Sequence, residues 1–293
     1  MRGSHRPSLT TLVQRFWSSE LVTAPKHVLV ACSGGPDSMA LLHCLARLAG
    51  KLPLQVSAAG VDHGLRERAA AELALAAELA RALKIEFRTL HAKVAPGGNL
   101  QARARAVRYA LLEEEQRRIG ADSIATGHTA DDRAETVLIR LLRGTGLGGL
   151  AVLPPEAEGR IRPLLRATRE DVELHLQRHS VPFARDPSNL DTRFVRVRVR
   201  HELMPLLREL SPAIVKTLNH VADEVAAVPP SATASLALPR AHRSVVEAAL
   251  KSQKPARFRT SDCKEVLVTL ADGAPVLTEL AAPVSRPRRP AGE

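Results

Sequence analysis

The chain has 293 residues, 45% of them hydrophobic, and its 42 Lys+Arg against 31 Asp+Glu leave a formal net charge of +11. That length and apolar fraction fit a globular protein with a sizeable core and exclude a disordered or fibrous chain. Three cysteines without a CxxC pair, no stretch approaching ~18 apolar residues and no signal-peptide core in "MRGSHRPSLTTLVQRFW" exclude a disulfide scaffold, a zinc knuckle and a membrane span.

The expectation is a soluble protein of a reducing cytoplasm, with no membrane partner. The positive excess favours a polyanion such as nucleic acid, although aromatics at 2% leave base stacking a minor mode of binding. Residues 1–5, "MRGSH", look like the start of an expression tag and carry no argument.

Along the chain, 1–25 read as an N-terminal extension. From 26 a regular series follows: "KHVLVAC", a helix from Pro36, "LQVSAAGVD", a helix near 68–84, "IEFRTLHA", a helix over 100–119, "DSIATGH" and a helix from about 130. This βαβα alternation predicts an α/β fold with a doubly wound parallel sheet over 26–150, whose ligands sit beyond the carboxyl ends of the strands. The residues to inspect are therefore 33–38, 62–66 and 128–135. From 151 the pattern changes to a helical basic segment reaching 217. "TRED" at 168–171 reads as a capping box opening a helix to about Arg178, "VPFARDPSNLD" as a loop, and 192–210 as an arginine-studded helix. Between Arg160 and Arg208 stand eleven Arg, no Lys and six acids, a net of +5. The region 218–293 reads as a reduced C-terminal part: a helix to 228, a linker "VPPSATAS", weak helix over 241–270 and a disordered tail "APVSRPRRPAGE".

Two constellations carry chemistry. In "SGGPDS", Gly34 and Gly35 let the backbone approach a ligand closely, and the helix opened by Pro36 aims its unpaired N–H groups and positive dipole end at the same point. Ser33 and Ser38 add hydroxyls. Asp37 beside bound phosphates needs an intervening cation, which assigns it to Mg²⁺. Neither GxxxxGK[ST] nor GxGxxG is present. In "GHTADDRAET", Thr129 as cap with Asp132 at the capping-box position brings His128, Asp132 and Glu135 onto a narrow arc and leaves Asp131 to the side. Two carboxylates facing one way beside a phosphate site suit either a metal or a cationic amine. Arg103, Arg105 and Arg108 with Tyr109 form a basic helix edge. Arg196, Arg198 and Arg200 repeat the theme; if that segment is helical, as "HELMPLLREL" suggests, 196 and 200 share a face.

These residues resemble a known group. "SGGPDS" is similar to the loop of the PP-loop ATP pyrophosphatases, of adenine nucleotide α-hydrolase-like fold, which split ATP into AMP and pyrophosphate. Within that superfamily, "VDHGLR" (61–66), "GNLQARARAVRY" (98–109), "TGHTADDRAETVLIRLLRGTGLGGL" (126–150), "RPLL" (162–165) and "RDPSNLDTRF" (185–194) resemble the tRNA(Ile)-lysidine synthetase family in order and spacing. The resemblance implies a ligase that uses ATP, Mg²⁺ and free lysine to convert the wobble cytidine of the CAU-anticodon isoleucine tRNA to lysidine. Adenylylation of the cytosine 2-oxygen makes it a leaving group that the lysine ε-amine displaces. By resemblance, Ser33, Gly34, Gly35, Pro36, Asp37, Ser38, Asp62 and His63 bind ATP, Asp37 takes Mg²⁺, and Asp132 with Glu135 recognise lysine. Asp37, His128, Arg108 and Arg200 contact reacting groups, and Arg196 and Arg198 contact tRNA. A homodimer is among the expectations.

The chain departs from the family pattern in two respects. Where the family reads an aromatic and then R-N-R-I-R-H, this chain has "FVRVRVRH", with Val197 at the Asn position, and the region after 217 is short. The alternatives are another PP-loop tRNA-modifying reaction such as thiolation, which calls for CxxC pairs; an amidotransferase-type ligase, which needs a glutaminase domain; and a catalytically impaired RNA-binding relative.

Overall fold

The computed structural model describes residues 6–64, 67–92, 100–184, 193–228, 245, 248–249, 251–259, 265–271 and 274–280. The "DPSN" motif at 186–189, Leu65 and Arg66, the linker beyond 228 and the tail after 280 lie outside the described residues. By compactness the chain divides into one unit of 1–136 with 153–219 and a second of 137–152 with 220–293.

The first unit is built on a sheet of order β3-β2-β1-β4-β6-β5. Its strands are β1 (His27–Ala31), β2 (Gln55–Asp62), β3 (Glu86–His91), β4 (Ser123–Ala125), β5 (Glu156–Ala157) and β6 (Arg160–Ile161). All pairs are parallel except the edge pair of β5 with β6. β1 is central: Val28, Leu29 and Val30 are all buried, which is why the strand reads as an uninterrupted apolar run. The chain order reverses at β1, with β2 on one side and β4 on the other, and a crevice at such a switch point is where ligands enter this architecture.

The helices are α1 (Leu9–Ser19), α2 (Pro36–Ala49), α3 (Glu67–Ala82), α4 (Leu100–Ile119), α5 (Ala130–Leu142) and α6 (Arg169–Arg178). The predicted alternation is therefore observed. α1, which the sequence sets apart as an extension, lays Leu9, Val13, Phe16 and Trp17 into the same core cluster as Leu41, Leu45 and Leu48 of α2 and Val172 and Leu176 of α6. Spacings of four, seven and eight residues put these α1 side chains on one helical face.

Downstream, α7 (Val195–Arg198), a π-helical turn over Val199–Leu203 and α8 (Met204–Leu210) follow in the place of the predicted arginine-studded helix. The widened turn precedes Pro205, whose ring and missing N–H do not fit a regular turn. α9 (Ile214–Ala227) comes next.

One expectation is corrected. The span 241–270 is not weakly helical throughout: β7 (Ala256–Arg259) lies within it and β8 (Glu265–Ala271) begins within it, and with β9 (Ala274–Leu280) they form an antiparallel sheet in the second unit. The deciding signal is the period-two run "EVLVTLA", in which Val266 and Val268 are buried and the residues between them are less so.

Candidate active site

Within the first unit three helix N-termini meet at the carboxyl edge of the sheet. α2 starts directly after β1, with Met39 N donating to Gly35 O at 3.0 Å. A Cβ on Gly127 would lie 3.0 Å from the Asp37 carbonyl carbon, so the turn after β4 sits hard against the start of α2. α5 is joined to the entry of α6 by Ala130 N donating to Ala167 O at 2.8 Å, and Arg169 N donates to Asp131 Oδ2 at 2.7 Å. Both α5 and α6 carry a capping box. Thr129 N and Oγ1 donate to Asp132 Oδ2 at 3.0 and 3.1 Å, and Thr168 N and Oγ1 donate to Asp171 Oδ2 at 2.8 and 2.6 Å.

The glycine loop has no room for a side chain where it crosses α3. Gly34 has φ +81°, and a Cβ there would lie 2.3 Å from Glu72 O. Ser38 braces the loop from inside: its hydroxyl donates to Gly35 O at 2.9 Å and accepts from Ser33 N at 3.2 Å. Ala184 N donates to Gly34 O at 2.9 Å, which brings the chain beside the loop just before the "DPSN" motif.

Asp37 Oδ1 is buried and has no hydrogen-bond partner among the described residues. Burial, reinforced by the charge of Asp132, raises the Asp37 pKa to about 7 against the opposing pull of Arg169 and Arg200. A buried, unpartnered carboxylate oxygen at a helix N-terminus fits a hard cation. Among the described residues no group of three or more His, Cys, Asp or Glu could hold a metal, so phosphate oxygens and water would complete the shell of an ion at Asp37.

Asp132 and Glu135 face one way, as predicted. Asp132 Oδ2 is spent on the capping box, and its Oδ1 accepts from Arg196 at 3.2 Å and Arg200 at 3.0 Å. Glu135 is 1% exposed and accepts Arg200 Nε on Oε1 and an Arg200 Nη on Oε2, both at 2.8 Å, with Arg169 at 3.3 Å. Burial pushes the Asp132 carboxyl up, but Arg196, the Thr129 N–H, Arg169 and Arg200 outweigh it and hold the pKa below the usual range. Asp131 lies to the side, pairing through its other oxygen with Arg208.

His128 Nδ1 is 2.9 Å from Thr126 Oγ1. Burial lowers its pKa to about 4 despite Asp132, with Arg162, Arg105 and Arg196 adding to the depression, so the ring is neutral at pH 7. Asp62 ends β2 and accepts from Gly64 N at 2.9 Å, while His63 Nε2 lies 3.3 Å from the Arg108 guanidinium. Arg105 and Arg160 lie 5.0 and 4.3 Å from the Tyr109 ring centroid, so cations already engage that aromatic.

Arg196 and Arg200 share a face, as the helical reading requires. Arg198 points elsewhere and pairs with Glu202 at 2.8 Å. Arg169 was missed by sequence reasoning: it lies 34 residues from Glu135, and only the capping box "TRED" hinted that its position was fixed.

The comparisons with known proteins agree with this fold. A family model described as a PP-loop domain matches residues 7–207. A protein named tRNA(Ile)-lysidine synthase from Solibacter usitatus is 40% identical over 199 residues, covering 67% of this chain and 44% of that protein. Proteins of the same name from Symbiobacterium thermophilum and Salinispora tropica are 43% and 41% identical, covering 67% and 69% of this chain and 43% and 63% of theirs. The chain thus spans about half the length of the curated relatives it matches. Among solved structures, the U34-tRNA thiolase NcsA from Methanococcus maripaludis superposes with a TM-score of 0.63 at 18% identity, over 75% of this chain and 80% of that one, which shows the shared fold.

Proposed function

This chain belongs to the PP-loop domain family, and from that premise we propose that it joins lysine to the wobble cytidine of the CAU-anticodon isoleucine tRNA, consuming ATP and releasing AMP and pyrophosphate. The observation that carries the reading is the acid pair Asp132 and Glu135, held on one face of α5 near Asp37 of the glycine loop, whose Oδ1 is buried. The names of the relatives supply the substrate class.

In this reading the loop 33–38 and the N-terminus of α2 bind the pyrophosphate of ATP, with Asp62 and His63 toward the nucleoside. Asp37 would hold Mg²⁺ with the phosphate oxygens, and the ion would offset phosphate charge. The cytosine 2-oxygen attacks the α-phosphorus, pyrophosphate departs, and the AMP ester leaves when the lysine ε-amine attacks C2. Asp132 and Glu135 recognise the amine, and Arg200 and Arg108 face the phosphate charge. Neutral His128, with Nδ1 engaged by Thr126, is available to hydrogen-bond at the reacting base. Arg198, exposed beside Glu202, contacts the tRNA backbone. The location is the cytoplasm, where the substrates are, and self-association is part of the proposal. Among the described residues no helix is long and apolar enough to cross a membrane.

Thiolation is the weaker reading, because the three cysteines form no CxxC pair and two of them, Cys32 and Cys44, are buried and free. The test is incubation with ATP, Mg²⁺, labelled lysine and a CAU-anticodon isoleucine tRNA transcript, followed by digestion to nucleosides. Label in a cytidine derivative is expected. Label absent from every nucleoside overturns the reading.

A further inference from the structure

Every oxygen of the acid pair assigned to lysine already accepts a hydrogen bond from within this chain. Asp132 Oδ2 accepts from the backbone and hydroxyl of Thr129, and Oδ1 accepts from Arg196 and Arg200, with Arg169 at 3.6 Å. Glu135 Oε1 is taken by Arg200 and Arg169, and Oε2 by Arg200, with Arg196 at 3.5 Å. A carboxylate offers about four lone-pair sites. An entering ammonium therefore finds no oxygen it need not share, and it would add a positive charge where three guanidinium groups already exceed two carboxylates.

The three arginines are not held equally. Arg200 makes three contacts of 2.8 to 3.0 Å and its side chain is 24% exposed. Arg169 is 27% exposed, and its backbone N–H is anchored on Asp131. Among the described residues Arg196 has one hydrogen bond, at 3.2 Å, its Glu135 contact is the longer 3.5 Å, and it is 46% exposed. Arg200 is held by more and shorter contacts, and Arg169, whose contacts of 3.3 and 3.6 Å match those of Arg196 in number, is less open to water and tied through its backbone; Arg196, with the greatest access to water, is the cation whose departure costs least.

We propose that Arg196 is an internal stand-in for the lysine amine: it occupies Asp132 Oδ1 and Glu135 Oε2 in the empty protein and exchanges with the substrate ammonium on those atoms. The inference rests on the lysine reading above. Exchange keeps the charge of the cluster constant and reopens both oxygens. It also frees a guanidinium at the mouth of the site, where the AMP ester and the tRNA backbone bring phosphate charge. Arg196 thus serves the acid pair before lysine arrives and phosphate afterwards, and its contact with tRNA depends on lysine being bound. Arg200, gripping both oxygens of Glu135, stays in place as the fixed wall of the site.

An internal competitor lowers apparent affinity by the fraction of protein in which it has left. If that open fraction is ~10% or less, removing the competitor tightens binding by about tenfold or more. The experiment is equilibrium binding of labelled lysine, without ATP or tRNA, to the full chain, to Arg196→Gln and to Arg15→Gln, which removes an equal charge from an exposed position on α1. Exchange predicts a Kd about tenfold lower for Arg196→Gln and an unchanged Kd for Arg15→Gln, with Arg196→Gln melting within a few degrees of the parent. Equal or weaker lysine binding by Arg196→Gln overturns exchange. If the tRNA assay nevertheless puts labelled lysine into cytidine, the lysine reading survives that result. No lysine binding by any variant, with no label in the tRNA, overturns both.

Discussion

Arg200 and Glu135 form a two-pronged pair, Nε to Oε1 and an Nη to Oε2, each at 2.8 Å. Lysine cannot reproduce that fork. Arg200→Ala leaves a buried carboxylate with only its longer contacts to Arg169 and Arg196. We expect a loss of ~2–3 kcal/mol in urea denaturation, below the ~3–5 kcal/mol typical of a broken buried pair because those two cations remain. Glu135→Ala is expected to impair lysine use while sparing pyrophosphate release. Equal loss of both half-reactions would contradict the assigned division of labour.

Asp37 lies at the other pole of the site. Its pKa is raised to about 7 chiefly by burial, so the folded protein favours the neutral acid. The corresponding stability is present below the unfolded value of ~3.9 and is lost as pH rises through 7. At pH 8 the ionised group therefore carries its full cost, and Asp37→Asn removes it. The Asn variant is expected to melt ~3–6 °C higher at pH 8, a shift of one or two kcal/mol for a domain of this size, with about a third of that shift at pH 5. It is also expected to lose pyrophosphate release. Since protonation competes with the cation, Mg²⁺ affinity of the parent should fall by up to about tenfold per pH unit below 7, measurable by calorimetry.

The contact of α2 with α6 adds a separate acid sensitivity. His43 Nδ1 lies 2.9 Å from His175 Nε2, and the His179 ring packs tilted against both. Burial lowers the pKa of His43 and of His175 to about 4, with neighbouring His and Arg47 deepening both depressions. Below pH ~6.5 the unfolded chain takes up protons that the folded one refuses, so stability declines as pH falls toward 4. Replacing both residues by leucine should flatten the urea-midpoint profile between pH 6.5 and 4. An unchanged slope would show that the acid sensitivity lies elsewhere.

Gly34→Ala addresses the loop directly. With φ +81° and a Cβ site 2.3 Å from Glu72 O, the substitution forces α3 and the loop apart. A destabilisation of ~2–4 kcal/mol and loss of ATP binding by equilibrium dialysis are expected. Gly35→Ala, whose Cβ meets only Ser33 Oγ at 3.6 Å, should fold normally.

Local signals announced much of this architecture. The βα alternation, the opening of α2 at Pro36, the two capping boxes and the shared face of Arg196 and Arg200 all follow from spacing within a few turns of chain. Contacts that bridge distant segments were hidden. Arg169 meets Glu135 only because the entry of α6 is tied to the start of α5, and the crowding of the acid pair becomes visible only when three arginines from three elements converge. The β8 strand was missed for another reason: its period-two signal is short.

The meeting of the α2, α5 and α6 N-termini has a consequence for how charge is handled. Water stabilises a newly formed anion only after its dipoles have turned, and that turning is part of the barrier. Here the peptide dipoles are already oriented, pinned by Gly127 against Asp37 and by Ala130 on Ala167. In the proposed reaction the crevice would act as a solvent frozen in the arrangement that departing pyrophosphate would otherwise have to induce, its reorganisation completed when the chain folded.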